Sequence, residues 1–515
     1  MLVGIDSADY FQVKSLIGQG KLPNIGSVAD WCFGRLASTI PPNTAPSWTS
    51  MLTGTNPGKH GIFYFKDLDT GRTLSSVDVS APYVWSRLGS AGVRSIVVNV
   101  PLTFPVEKIN GVMISGLHAR KADRRSVFPE ELVQLVNREY TFDMWDFDLA
   151  SSLARDFQRT YKILLEGDAR RATFFCDLLS RQEWRFACIV LTALDRIQHT
   201  FWSPKHKERG VELSEYVETA YCEADRLVGK ILKATRDVNA NFILASDHGF
   251  EKKAFTVYPN VALSELNLFK PKRVSRYVER KAVRWFDLLL RLLPRGLAVE
   301  LGIMGRPLFD KILSRSADFQ PVDIRRTLAY SFEYGLIRVR DGTNLRKAGF
   351  DSRLEATTII AKKLNQIRLE GSEKLEILRA EDVYGGEKVS LGPHLVVRPI
   401  DGYEISSELA RSAVEKTDRA NHSMNGFVAA NRDANWGLGV SDEEVQVCDI
   451  GASIIELMGY EVPSEFDGHA IFSRKSGQVF LRLPRNTVQH SLEPSAYSRE
   501  EEESINARLR EMGYE

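Results

Sequence analysis

The sequence predicts an α/β protein with a mostly parallel central sheet and helices on both of its faces. Four short apolar runs have the length and composition of buried strands: LVGID at the N-terminus, RSIVVNV (94–100), FACIVLTALD (186–195) and NFILASDHGF (241–250). Longer amphipathic, helix-like patterns separate them. Each run ends in polar residues, and parallel sheets place their ligands at the carboxyl ends of the strands. We therefore expect a functional site at one edge of the sheet.

The overall composition excludes several classes of protein. The chain has 515 residues, 43% hydrophobic and 26% charged residues, and a formal net charge of +1. These are the values of a globular protein without a signature for binding nucleic acid. The sequence contains no uninterrupted run of about 18 apolar residues, so we expect no transmembrane helix. Five scattered cysteines without a CxxC pair favour a reducing compartment, and we expect a cytoplasmic location and a small-molecule partner.

One segment interrupts the strand–helix rhythm. Residues 256–325 are basic and apolar and contain Pro294, so we interpret them as a helical insert. The insert can pack on the body, cover the substrate as a lid, or contact a membrane surface. Strand-like runs resume at 334–340 and 394–399. We therefore expect a catalytic domain of residues 1–255 and 326–475, followed by a charged, peripheral tail of residues 476–515.

Metal-type ligands follow several of the predicted strands. Carboxylate and imidazole groups suit Zn²⁺ and also Mn²⁺. Each residue alone is also compatible with a helix cap or a turn. Their convergence on one sheet edge predicts a shared site, whose candidates are Asp6, Asp195, His199, Asp247, His248 and, in a later loop, His422.

A turn-rich stretch, PPNTAPSWTSMLTGTNPGKHG, occupies residues 41–61. Its GTNPGKHG portion is not a phosphate loop, because the glycine spacing is one residue short and Lys59 is followed by His60. The stretch instead predicts a turn that leads into a helix. A hydroxyl at such a helix N-terminus favours a bound anion. Thr44 is in that position, although alone it is also compatible with a turn or cap threonine. We expect His60 to be structural.

A set of ordered motifs extends this interpretation to a family. In chain order they are GID, LPNI, STIPPNTAPSWTSMLTGTNPGKHGIFYF, LDRIQHTFW, SDHGF, NHSMNG and DIGASIIELMGYEVPSEFDG. The chain resembles the alkaline phosphatase superfamily over about residues 1–475. Within it, the chain is most similar to the type I phosphodiesterase/nucleotide pyrophosphatase family and the predicted phosphohydrolase/phosphomutase proteins. The resemblance implies a three-layer sandwich and metal-dependent hydrolysis of a phosphodiester or a nucleotide-type pyrophosphate.

The resemblance also implies roles for individual residues. Thr44 would be the nucleophile that becomes phosphothreonine, and the Ala45 backbone N–H would bind a phosphoryl oxygen. Two divalent ions, Zn²⁺ first and Mn²⁺ second, would divide the ligands: Asp6, Asp247, His248 and the Thr44 oxygen for one, and Asp195, His199 and His422 for the other. His394 and His469 compete with His422. The family usually has Asp at the position of His394, and His469 falls in a terminal loop, so His422 is preferred.

The sequence departs from the family pattern at two points. Nucleotide pyrophosphatases carry an Asn shortly after HGI, whereas this chain reads HGIFYF. No arginine can be placed at the phosphate. Candidates lie in HARKADRR, mainly Arg120 and Arg124, but that segment is also compatible with a solvated basic turn. A phosphomonoesterase or phosphomutase on the same site therefore stays an alternative, as does a non-catalytic binding protein. A sulfatase is disfavoured, because the residues after Thr44 lack the required arginine.

Overall fold

The structure is a computed structural model. It describes residues 1–30, 32–142, 157–202, 213–238, 240–270, 326–340, 345–346, 349–370, 374–431, 436–438, 445–474, 480–484 and 497–511. None of the helices in these ranges has the length and hydrophobicity of a membrane-spanning segment. All five cysteines lie in this part of the chain, and each is a free thiol.

The strands of these ranges, in chain order, are β1 (Leu2–Ile5), β2 (Cys32–Ala37), β3 (Ser95–Val100), β4 (Gly111–Ser115), β5 (Val127–Phe128), β6 (Phe186–Leu191), β7 (Ile243–Ala245), β8 (Gly249–Lys252), β9 (Phe255–Val257), β10 (Ala329–Ser331), β11 (Leu336–Val339), β12 (Ile377–Arg379), β13 (Leu395–Val397), β14 (Tyr403–Ile405), β15 (Val414–Lys416), β16 (Ala420–Ser423), β17 (Asn425–Ala430), β18 (Trp436–Leu438) and β19 (Phe472–Arg474).

The α-helices of the described residues are α1 (Tyr10–Gly18), α2 (Pro23–Ala29), α3 (Thr44–Thr53), α4 (Pro57–His60), α5 (Val84–Ser90), α6 (Val133–Glu139), α7 (Phe157–Arg181), α8 (Ala193–Phe201), α9 (Leu213–Ala234), α10 (Pro259–Glu265), α11 (Arg353–Leu364), α12 (Ala380–Val383), α13 (Val447–Leu457) and α14 (Arg499–Glu511).

Eight of the strands form the central sheet, in the order β2-β17-β7-β1-β6-β3-β4-β5. Strand β1 pairs in parallel with β6 and β7, and β3 pairs in parallel with β4 and β6. Strands β17 and β5 run antiparallel to their neighbours. The four strands predicted from apolar runs are all present. The mostly parallel α/β fold is therefore confirmed, and the carboxyl ends of β1, β6 and β7 meet at one edge.

Alternating side chains of the sheet contribute to two hydrophobic cores. On one face, Leu2 packs with residues of α3, α5, α13 and α14, and on the other face Val3 packs with residues of α1, α2, α7, α8 and α9. This period-two alternation produces the three-layer arrangement. Gly4 is required in β1, because a Cβ there would lie 2.2 Å from Cη2 of Trp48. The close approach of Trp48 to β1 brings its indole to the end of that strand.

A second, smaller sheet has the order β10-β11-β13-β12 and is antiparallel. It has its own hydrophobic core, to which Phe63 and Tyr64 from the long loop after α4 also contribute. The sequence interpretation assigned the runs at 334–340 and 394–399 to the strand–helix alternation of the main sheet. The structure shows instead that they form β11 and β13 of this second sheet. Short apolar runs show that strands exist but do not specify which sheet they join. Residues 271–325 of the predicted insert lie outside the described residues.

The C-terminal helix α14 packs against the body and is not peripheral. Its residues Ile505 and Leu509 are each 1% exposed and join the core that contains Leu2. Glu501 forms an ion pair with Arg125 at 3.2 Å. The highly charged helix start REEEES obscures this i, i+4 apolar pair, which is why composition alone predicted a peripheral tail.

Candidate active site

Two adjacent parallel strands deliver the first cluster of polar side chains. Asp6 directly follows β1, and Asp247 and His248 follow β7, which pairs with β1. We call Asp6, Asp247 and His248 the Asp6 group. All three side chains are buried, and one potential ligand atom from each lies within 4.8 Å of the others. Nε2 of His248 is 3.2 Å from Oδ2 of Asp247 and 3.7 Å from Oδ1 of Asp6.

A helix and an antiparallel strand deliver the second cluster. We call Asp195, His199 and His422 the Asp195 group. Asp195 and His199 are four residues apart in α8 and therefore share one helix face. His422 lies in β16 and pairs with Phe250 of β8. Nε2 of both histidines lies 3.4 Å from Oδ1 of Asp195, and the two Nε2 atoms are 2.8 Å apart.

The sequence interpretation ended the third strand at Asp195, and the structure corrects that boundary. Strand β6 ends at Leu191, and Thr192 precedes the first residue of α8. Asp195 therefore belongs to the first turn of a helix, where the helix dipole favours a carboxylate. The apolar run continues into Ala193 and Leu194, which face the core beside the sheet, so the boundary is hidden in the sequence.

The two groups adjoin one another. The rings of His248 and His422 stack with centroids 3.8 Å apart and an interplanar angle of 22°. Oγ1 of Thr44 lies 3.2 Å from Nε2 of His248. Thr44 is the first residue of α3, and the preceding Asn43 caps this helix. The structure therefore brings Thr44 and all six predicted ligand side chains into one buried site.

The electrostatics of the two groups differ. Burial and the charge of neighbouring carboxylates raise the pKa of both Asp6 and Asp247 well above the usual range. Burial also acts to raise the pKa of Asp195, but His199, His422 and Arg196 together hold it well below the usual range. Burial lowers the pKa of His422 to about 4, so this ring is neutral and has a lone pair for a ligand.

The Asp6 group has the chemistry of a cation site. Oδ1 of Asp6 and Oδ2 of Asp247 are buried and accept no hydrogen bond from the described residues. Buried carboxylate oxygens without donors are costly unless a cation compensates their charge. The Asp195 group offers a carboxylate and two imidazoles, which are zinc-type ligands. The residues present therefore fit divalent cations in both groups.

The remaining predicted residues lie at different distances from this site. The Ala45 backbone N–H donates to Oδ1 of Asn43 at 3.3 Å. Arg120 lines a cavity of about 340 Å³ with His118, Tyr497 and other residues, none of which belongs to either group. Arg124 is exposed. The structure thus places Ala45 beside Thr44 but does not bring Arg120 or Arg124 into either group.

Three other histidines are placed outside the two groups. Nδ1 of His394 accepts the backbone N–H of Val339, beside the second sheet. The backbone N–H of His469 donates to Asp449. His60 bonds Oγ of Ser50 at 2.8 Å. Of the three candidates for the last ligand, it is therefore His422 that the fold brings to Asp195.

Sequence reasoning missed three side chains that contact the groups. Nη1 of Arg196 lies 2.7 Å from Oδ2 of Asp195, and Nε1 of Trp48 donates to Oδ2 of Asp6. The hydroxyl of Tyr334, from the turn before β11, lies 3.2 Å from Nδ1 of His422. The position of Arg196 next to Asp195 was a usable signal. Tyr334 carried none, because its contact depends on how the second sheet packs.

Known proteins resemble this chain in sequence and in fold. The sequence model of the type I phosphodiesterase/nucleotide pyrophosphatase family matches residues 1–295. Phosphonoacetate hydrolase from Sinorhizobium meliloti 1021 has a similar fold, with 14% identity, a TM-score of 0.51 and coverage of 87% of this chain and 93% of that chain. Human ectonucleotide pyrophosphatase/phosphodiesterase 5 gives 11% identity, a TM-score of 0.48 and coverage of 91% and 96%. No curated protein matches the sequence.

The family match covers more than half of the chain, and the fold is that of alkaline-phosphatase-like hydrolases. The chain belongs to the type I phosphodiesterase/nucleotide pyrophosphatase family of the alkaline phosphatase superfamily and is a phosphoric ester hydrolase.

Proposed function

We propose that the protein hydrolyses a phosphodiester or a nucleotide-type pyrophosphate through a phosphothreonine at Thr44, with two divalent ions held by the two groups. The observation that carries this proposal is the position of Thr44. Its Oγ1 lies 3.2 Å from His248 of the Asp6 group, and His248 stacks on His422 of the Asp195 group. A hydroxyl held between two clusters of metal-type ligands is suited to attack on phosphorus.

The ligand assignment follows the two groups. Asp6, Asp247, His248 and the Thr44 oxygen would hold one ion, and the Asp195 group would hold the other. Bound divalent ions would lower the pKa of the Thr44 hydroxyl and compensate charge on the phosphoryl oxygens. Zn²⁺ is our first choice, because imidazole contributes three of the seven proposed side-chain ligands, and Mn²⁺ is the second.

The protein itself supplies the orientation of Thr44. Thr44 begins a ten-residue helix, so its side chain lies where backbone N–H groups and the helix dipole favour an anion. The hydroxyl is buried, which excludes bulk water from the attacking oxygen. We keep Ala45, Arg120 and Arg124 as proposed substrate contacts. Ala45 is adjacent to the nucleophile, and its N–H would be shared between Oδ1 of Asn43 and a phosphoryl oxygen. A cytoplasmic location, suggested by the free thiols, also stays a proposal.

Two substrates and one variant test the proposal. We expect the protein loaded with Zn²⁺ or Mn²⁺ to hydrolyse bis-p-nitrophenyl phosphate faster than p-nitrophenyl phosphate. Thr44→Ala should lower turnover at least about 10³-fold, because the attacking oxygen is removed, while metal content is kept. Thr53→Ala is the control, since it removes a hydroxyl at the other end of the same helix, where it donates to Thr49.

Each outcome separates the alternatives. If p-nitrophenyl phosphate is hydrolysed at least tenfold faster than the diester, the result would favour the hypothesis of a phosphomonoesterase or phosphomutase. Activity on neither compound together with no bound metal would favour a binding protein. Turnover by Thr44→Ala at the wild-type rate would contradict the nucleophile assignment.

A further inference from the structure

Asn43, which precedes Thr44, uses most of its hydrogen-bonding groups to start helix α3. Its backbone N–H donates to Pro41 at 2.9 Å, and its carbonyl accepts from Ser47 at 3.0 Å. Its side-chain Oδ1 accepts the backbone N–H of Ala45 at 3.3 Å. Because an amide oxygen accepts and an amide nitrogen donates, this last bond fixes which end of the amide faces the helix. The nitrogen, Nδ2, therefore takes no part in the capping bond.

This nitrogen is buried and has no acceptor among the described residues. The Asn43 residue as a whole is 0% exposed. Helix capping does not require the nitrogen, since Asp and Ser cap a helix about as well as Asn. A buried donor without an acceptor lowers stability. Because Asn43 directly precedes Thr44, this unused donor indicates an acceptor that arrives with a ligand.

The surroundings of Asn43 locate that acceptor. One neighbour is Thr44, whose Oγ1 contacts His248. Another is Tyr334, which lies against His422. The Asn43 amide is close enough to the Tyr334 hydroxyl to offset part of the rise in the Tyr334 pKa that burial causes. This contact gives Nδ2 no acceptor, so both N–H groups of the amide nitrogen are available to a ligand.

We propose that Nδ2 of Asn43 donates a hydrogen bond to a non-bridging oxygen of the phosphoryl group that Thr44 attacks. This inference rests on the proposed function and adds a residue to it. Phosphoryl oxygens only accept hydrogen bonds, and Nδ2 only donates them. The Ala45 bond holds the amide in place before substrate arrives, so the donor needs no reorganisation during the reaction. Asn43 is thus both the cap of α3 and a substrate-binding residue.

The test compares two caps. Asn43→Ser keeps an oxygen that can cap α3 and removes the nitrogen. Asn56→Ser is the matched control, because Oδ1 of Asn56 caps α4 through the N–H of Gly58 at 2.7 Å. We expect Asn43→Ser to lower kcat/KM by about 10²–10³-fold, the usual effect of removing one such donor. We also expect Asn43→Ser to bind orthovanadate at least about tenfold more weakly, as measured by calorimetry, with unchanged metal content. Asn56→Ser should change neither kcat/KM nor the affinity for orthovanadate.

A second variant keeps the test decisive if Asn43→Ser does not fold. Asn43→Asp retains a strong cap but replaces the donor with a carboxylate oxygen, which should repel orthovanadate. Vanadate binding within threefold of the wild type by either folded variant would overturn the inference, as would a wild-type protein that binds no vanadate. If the wild type hydrolyses no ester but binds vanadate more tightly than Asn43→Ser, the proposed function fails and the role of Asn43 stands.

Discussion

The Asp6 group and the Asp195 group offer similar ligand types but balance their charge differently. The Asp6 group has two carboxylates, and its hydrogen bonds come from neutral donors such as the indole of Trp48 and the backbone N–H of Ser7. The Asp195 group has one carboxylate, which pairs with the buried cation Arg196. The Asp6 group therefore depends on a bound ion for charge balance, whereas the Asp195 group has a positive charge of its own.

The largest effect should come from breaking the charge pair of the Asp195 group. Asp195→Asn leaves the buried Arg196 beside a neutral amide, so we expect the chelator-treated protein to lose about 3 kcal/mol of stability at pH 7. The measurement is urea unfolding. Asp177→Asn is the control, since it neutralises one partner of the exposed i, i+4 pair with Arg181 and should cost less than about 0.5 kcal/mol. Equal, small effects of both changes would show that the Asp195–Arg196 pair does not stabilise the site.

The buried His60 lies outside both groups and is a reference for how the stability of the protein depends on pH. Burial lowers the pKa of His60 to about 3 from the ordinary value of 6.5. Between these pH values the unfolded chain binds the proton and the folded chain does not, so stability falls as the pH falls. From pH 8 to pH 5 the expected loss is about 2 kcal/mol. In chelator-treated protein, the loss of stability between pH 8 and pH 5 should be about 2 kcal/mol smaller for His60→Gln than for the wild type. An identical loss in the two proteins would contradict a neutral His60.

The smallest expected effect is a gain in stability, and it comes from a substitution in the Asp6 group. Asp6→Asn removes one of two carboxylates whose pKa values are raised by burial and by their neighbours. Its amide can also donate toward the oxygen of Asp247 that accepts no hydrogen bond from the described residues. We expect chelator-treated Asp6→Asn to be about 1 kcal/mol more stable than the wild type at pH 7. The same unfolding experiment checks this, and a loss comparable to that of Asp195→Asn would remove the contrast between the groups.

The two groups also differ in how far the sequence predicts them. Asp6 and Asp247 follow apolar runs, and the rule that parallel strands end at one edge brings them together. The i, i+4 spacing of Asp195 and His199 is equally readable. His422 was one candidate among the later histidines, and only the family resemblance preferred it over His394 and His469. It lies on an antiparallel strand far along the chain, where no local pattern indicates its partners.

What the sequence could not predict depends on packing between distant segments. Tyr334 reaches His422 because the second sheet packs against the site, and its short strands gave no sign of a separate antiparallel sheet. The unsatisfied nitrogen of Asn43 is visible only after the hydrogen bonds around α3 are assigned. The sequence therefore predicted the chemical types in the site, whereas the contacts that orient them required the three-dimensional structure.

Anomalous X-ray diffraction from crystals grown with Zn²⁺ tests the two-group arrangement most directly. We expect two peaks about 4 Å apart, one within the Asp6 group and in reach of Oγ1 of Thr44, and one within the Asp195 group. A single peak, or peaks outside the two groups, would contradict the assignment of Thr44 as a nucleophile held between two metal ions.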